Sequence, residues 1–96
     1  MTTENNTQAT ESQEVMKFPM EFPIKIMGLN DEAFPKAVNE LLSKHFEDFD
    51  PSKNTISYSK TKKYMSVNVV VNAQSRAQLD DIYRALTAHP MVKIAL

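Results

Sequence analysis

Histidines, paired aspartates, strand serines and a run of lysines are the side chains of this 96-residue sequence that could carry chemistry. His45 and His89 invite a shared metal ion. Each, however, sits at the C-terminal end of a stretch with helical spacing. Two antiparallel helices of about 13–15 residues would hold the rings roughly 20 Å apart at 1.5 Å rise per residue. Contact of each ring with its own helix C-terminus is the expected role, and no metal site is expected. Asp80-Asp81 looks like an acid–base pair, but neighbours on a helix point about 100° apart, so these carboxylates read as a solvated face. Ser57, Ser59 and Ser66 lie along strands with no histidine placed beside any of them, which leaves no activated nucleophile. The sequence has no cysteine, which excludes thiolate catalysis, disulfides and thiolate-bound metals. With one glycine, neither a phosphate-binding P-loop nor a dinucleotide fingerprint can be written. Neither an enzyme nor a bound cofactor is expected, since a domain of about 80 residues leaves little room for a deep pocket.

Binding is the better-furnished class. Lys25 and Lys93 bring two ammonium groups, Ser66 a hydroxyl and Asn68 an amide, a set that can hold a carboxylate or phosphate if one sheet face collects it. Gly28-Leu29-Asn30-Asp31 joins a strand to a helix, where backbone N–H groups can meet an anion, with Gly28 and Asn30 as candidate contacts. Asn30 or Asp31 also serves as a helix cap, and Gly28 is expected where a positive φ is needed. Lys60, Lys62 and Lys63, with Lys53 nearby, form the densest positive patch, and with Tyr64 they make nucleic-acid binding the alternative. The strand signature of RNA-binding RRM domains, laid on Lys62–Val69, finds a basic start and a ring at Tyr64, but Ser66 and Val69 at the other ring positions. One ring is not a stacking platform, and each missing base–aromatic stack forgoes about 1–3 kcal/mol. Lysines that solubilise a hairpin and discourage edge pairing account for the patch without nucleic acid.

These groups meet only if the chain folds as its periodicities require. Phe22, Ile24 and Ile26 alternate with Pro23, Lys25 and Met27, predicting a strand that ends at Gly28. Phe34, Ala37, Val38, Leu41, Leu42, His45 and Phe46 form one helical stripe over residues 32–47, with Pro35 in its first turn. Asp48–Asn54 reads as a loop. Ile56 and Tyr58 mark a short edge strand, and the lysine-rich turn leads to the strongest strand, Tyr64 to Asn72. There Met65, Val67, Val69 and Val71 point one way and Ser66, Asn68, Val70 and Asn72 the other. Ser75 with Gln78 forms a capping box for a second helix, whose stripe is Leu79, Ile82, Tyr83 and Leu86 and which ends at His89-Pro90. A last strand over Met91–Leu96 is expected to bury Val92, Ile94 and Leu96.

The order β-α-β-β-α-β is the split βαβ arrangement, a ferredoxin-like α+β sandwich. Its four-stranded antiparallel sheet runs 4-1-3-2, with both helices on one face. The opposite face is left open, and Lys25, Met27, Ser66, Asn68, Val70, Lys93 and Ala95 are expected to project from it.

Eleven basic against twelve acidic residues give a net charge of −1, which argues against a general polyanion binder. Residues 1–17 are polar and acidic, with too few apolar side chains to offset the entropy of ordering, and read as a disordered tail before a single domain over 18–96. That segment has neither the basic start nor the apolar run of a secretory signal, and no apolar run elsewhere approaches a membrane span. The expected location is therefore the cytoplasm, with no membrane partner.

Three ordered motifs carry a family resemblance: Phe18-Pro19-x-x-Phe22-x-x-Lys25-x-Met27-Gly28, then Tyr64-x-Ser66-Val67-x-Val69 leading to Asn72-Ala73, then Val92-Lys93-x-x-Leu96. Across nearly all of residues 18–96 the chain resembles the YbeD-like small bacterial proteins. Where that family has a glycine two residues before the tyrosine of strand three, this chain has Lys62. The resemblance implies a ferredoxin-like domain similar to ACT-type regulatory domains, which bind small ligands and pair with one another. It implies no established activity, and gene neighbourhood links the family to lipoate metabolism. The expectation is a non-catalytic regulatory or adaptor domain that takes a small ligand or a protein partner, with a homodimer as a further form.

Overall fold

The computed structural model describes residues 17–96. The expected disordered tail lies, up to residue 16, outside the described residues. Four strands, β1 (Met20–Leu29), β2 (Thr55–Tyr58), β3 (Tyr64–Ala73) and β4 (Val92–Ala95), form one antiparallel sheet in the order β2-β3-β1-β4. Two helices, α1 (Ala33–His45) and α2 (Arg76–Ala88), pack against it. This is the expected α+β sandwich, with β1 and β3 central. No helix among the described residues is long and apolar enough to cross a membrane.

The alternating side chains explain the layering. Ile24 and Ile26 of β1 and Met65, Val67, Val69 and Val71 of β3 are buried under Phe34, Val38 and Leu42 of α1 and Leu79, Ile82 and Leu86 of α2. Burying each of these large side chains contributes about 1.5–3 kcal/mol. Helix α1 begins two residues before Pro35, whose missing N–H costs nothing in a first turn. Asp31 does the capping, its Oδ1 accepting from the Ala33 N–H at 2.8 Å. At α2, Ser75 Oγ accepts from the Gln78 N–H at 3.1 Å, and Gln78 Oε1 accepts from the Gln74 N–H at 2.7 Å. The Gln78 side-chain amide also donates to the His45 carbonyl at 3.0 Å, tying the start of α2 to the end of α1.

Gly28 departs from expectation. Its φ is not positive, and it lies buried inside β1. The constraint is space: a Cβ there would stand 2.5 Å from the Met91 carbonyl oxygen and 2.7 Å from Cε1 of Phe34. The positive φ belongs instead to Lys62, at 62°. The Lys62 N–H donates to the Ser59 carbonyl at 2.9 Å, closing the turn between β2 and β3. A side chain in the left-handed region costs roughly 1–2 kcal/mol, part of which glycine would return as unfolded-chain entropy. Lys62→Gly is therefore expected to stabilise the domain by up to about 1 kcal/mol, read as a higher midpoint in chemical denaturation.

Strand β4 also corrects the sequence reading. Met27 pairs with Ile94, but Gly28 pairs with Val92, so the register shifts by one residue and Lys93 is left over as a bulge. Ala95 then pairs with Ile26 and packs against the core with Val92. Ile94 and Leu96, expected inside, are 45% and 69% exposed. Beyond them, Lys25 and Leu96 exchange two backbone bonds of 2.9 Å. By the alternation of an antiparallel strand, Pro23 directs its backbone to that same flank, where among the described residues no strand asks for its missing N–H.

Candidate functional site: the uncovered sheet face

Side chains that alternate with the core stand on the face away from the helices. One cross-strand row runs Thr55, Asn68, Lys25, Leu96, and the next runs Ser57, Ser66, Met27, Ile94. Pro23 and Val70 pair in a third. Among the described residues nothing covers this face. A shallow depression of about 440 Å³ lies on it, lined by Pro23, Lys25, Lys53, Asn68, Val70 and Leu96 among others.

The expected ligand set is thus only partly gathered. Lys25 and Asn68 are register partners and share the depression. Asn68 Nδ2 also reaches the Thr55 carbonyl, at 3.4 Å. Ser66 lies on the correct side but is 5% exposed between Ser57 and Met27, so it cannot meet a ligand laid on the face. Lys93 falls in the bulge, and its backbone is three residues along β4 from the Leu96 that pairs with Lys25, about 10 Å at the usual strand rise. The bulge thus replaces the expected pair of ammonium groups with the apolar side chains of Ile94 and Leu96. Lys53 joins Lys25 at the depression from a 3-10 turn, Pro51–Lys53. In that turn the Ser52 hydroxyl and amide, hydrogen-bonded to Asp50, hold its carboxyl below the ordinary carboxylate range. A glycine inside a strand is the one local sequence signal for the bulge. Nothing comparable marks Lys53.

The junction of β1 and α1 is occupied by its own contacts. Asn30 Nδ2 donates to the Lys62 carbonyl at 2.9 Å, and the Asn30 N–H donates to the Lys63 carbonyl at 3.0 Å. The Ala33 and Phe34 N–H groups are both taken by Asp31. Asn30 therefore latches the β2–β3 turn rather than capping the helix, and Gly28 is sealed beneath Phe34. In the turn, Lys60, Lys62 and Lys63 are exposed, and the Lys63 ammonium lies 5.6 Å from the centre of the half-buried Tyr64 ring. Val69, a ring position in the RNA-binding comparison, faces the core. His45 Nδ1 lies 3.1 Å from the Leu41 carbonyl, and His89 Nδ1 accepts from the Met91 N–H at 3.1 Å. Among the described residues no three His, Asp or Glu side chains gather to hold a metal ion.

Fold and face together define a small ferredoxin-like α+β domain with one bare sheet face. A family model described as "Protein of unknown function (DUF493)" matches residues 13–96. The chain is 40% identical over 97 residues to the UPF0250 protein RSc0326 of Ralstonia nicotianae, covering 100% of both chains. It is 41% identical over 85 residues to a UPF0250 protein of Paraburkholderia phytofirmans, covering 88% of this chain and 96% of that one. Among solved structures, the solution structure of protein HP0495 from H. pylori superposes with a TM-score of 0.66 at 15% identity, over 84% of this chain and 85% of that one, a likeness of fold. The chain belongs to the DUF493, or UPF0250, family of small bacterial proteins, with which the YbeD-like resemblance agrees. That family's description assigns it no chemistry.

Proposed function

We propose that this chain is a non-catalytic regulatory or adaptor domain that recognises a protein partner through its uncovered sheet face. The observation that supports this is the apolar surface of Val70, Ile94 and Leu96, all exposed, set around Met27 and Pro23 on adjacent strands. Apolar side chains clustered on one face mark an interaction surface, whereas single ones do not. Lys25, between Pro23 and Met27 within this surface, and Lys53 beside it would set orientation and encounter rate more than affinity.

Photo-crosslinking inside cells tests the reading. A benzophenone amino acid at Ile94 is expected to give a discrete crosslinked protein, and the same group at Arg84, exposed on α2, none. Val70→Asp should abolish the Ile94 product. A product at the mass of two chains would make the partner a second copy. Crosslinking from Arg84 with none from Ile94 would overturn the proposal. A second reading, a small anion held by Lys25, Lys53 and Asn68, is favoured by their shared depression. It predicts amide shifts at these residues on titration with phosphate or acetate, and their absence at millimolar concentration would remove it.

A further inference from the structure

We infer that the free edge of β2 takes an extended, acidic protein segment as a fifth strand of the sheet. The Ser59 N–H donates to the Tyr64 carbonyl at 2.9 Å, and the register pairs Ser57 with Ser66 and Thr55 with Asn68. By the alternation of an antiparallel pair, Thr55, Ser57 and Ser59 spend their backbone groups on β3. Ile56 and Tyr58 therefore direct theirs outward, where among the described residues no strand meets them. Their side chains lie on the inward side of the sheet, opposite the buried Val67 and Met65. The helices do not reach that far, and Ile56 and Tyr58 remain 45% and 53% exposed. An added strand would satisfy the outward N–H and C=O groups and cover both side chains, the recognition mode of strand addition.

Charge selects the occupant. Residues 51–79 contain Lys53, Lys60, Lys62, Lys63 and Arg76 and no aspartate or glutamate. The ion pairs among the described residues are Arg76–Asp80 and Arg84–Asp81, so Lys60, Lys62 and Lys63 have no carboxylate partner there, while Lys53 lies near Asp50. A second copy of this chain is a poor fit, because antiparallel pairing of two β2 edges through Ile56 and Tyr58 brings Lys53 of one beside Lys60 and Lys62 of the other. Like charges at both ends repel a copy and attract an acidic strand. Single-stranded RNA would use the same lysines, but it has no use for the outward backbone of Ile56 and Tyr58. This edge is a different surface from the bare face proposed above, so each proposal can fail without the other.

Hydrogen exchange on the isotopically labelled full chain tests it, with a short blocked peptide alternating glutamate and valine as probe. The expected result is exchange slowed about tenfold or more at the Ile56 and Tyr58 amides, with Thr55 and Ser57 unchanged. Ile56→Pro, which removes an N–H that the native sheet does not use, should abolish binding. If that variant fails to fold, Lys60→Glu with Lys62→Glu should still weaken binding about tenfold, with affinity falling as salt rises. Protection confined to Lys60–Tyr64, equal binding of a lysine–valine peptide, or binding of oligouridylate in place of the acidic peptide would overturn the inference. So would protection of Ile56 and Tyr58 by self-association in the absence of peptide.

Discussion

Phe34→Ala is expected to lower the unfolding free energy by about 3–5 kcal/mol, a large part of the roughly 5–15 kcal/mol available to an ordinary domain. Phe34 is completely buried in the first turn of α1, against Gly28 of β1 and beside Val38. It is the side chain that fixes the end of the helix onto the sheet where the chain has just left β1. Alanine would leave a cavity that α1 cannot close by sliding, because Asp31 caps it and the latch from Asn30 holds the preceding loop to the β2–β3 turn. Urea denaturation should show a lower midpoint with little change in slope. A loss under about 1 kcal/mol would mean that the site collapses and that the ring is not the anchor.

Gly28→Ala should be costly for the converse reason. One methyl group would be added where a backbone carbonyl at 2.5 Å and an aromatic ring at 2.7 Å leave no room. Overpacking of this kind typically costs about 1–3 kcal/mol, and the upper part is expected because the Met91 carbonyl cannot rotate away as a flexible side chain would. Strand β4 sits at the sheet edge, so it should yield first, with amide exchange rising at Ile94 and Leu96 ahead of β3. The two substitutions should also couple. In a Phe34→Ala background the ring contact is gone, and Gly28→Ala should cost about 1 kcal/mol less than in the native chain. Equal costs in both backgrounds would place the whole penalty on the Met91 carbonyl.

These sites show how far the sequence could be read. The helical stripe from Phe34 to Phe46 and the alternation from Met65 to Val71 each have a single periodicity and a single buried face. Element order and sheet topology followed from them. The Ser75–Gln78 pair was legible as a cap because its chemistry is local. The candidate site was less legible because it depends on β4, a strand of four residues whose register is set by a bulge. With period two, a shift of one residue exchanges the faces, which turned Ile94 and Leu96 outward and left Lys93 aside. A lone glycine at a strand end suggests a dihedral requirement, but the cause here is a long-range contact with Phe34 and Met91, which no local pattern encodes. Lys62 is the reverse case: its left-handed backbone is imposed by the turn, in a residue type that does not announce it.

Pro23 sets a limit on growth of the sheet at the flank opposite β2. The backbone of β1 between Met20 and Ile24 lies beyond the reach of β4, so on that side it is unpaired. An incoming strand continuing past Leu96 would next need the N–H of residue 23, and proline supplies none. Strand addition directly beside the start of β1 is thus hindered by a missing donor, and pairing of a second copy at β2 is disfavoured by like charge. The two devices are unrelated, one covalent and one electrostatic, and each acts on its own stretch of unpaired backbone.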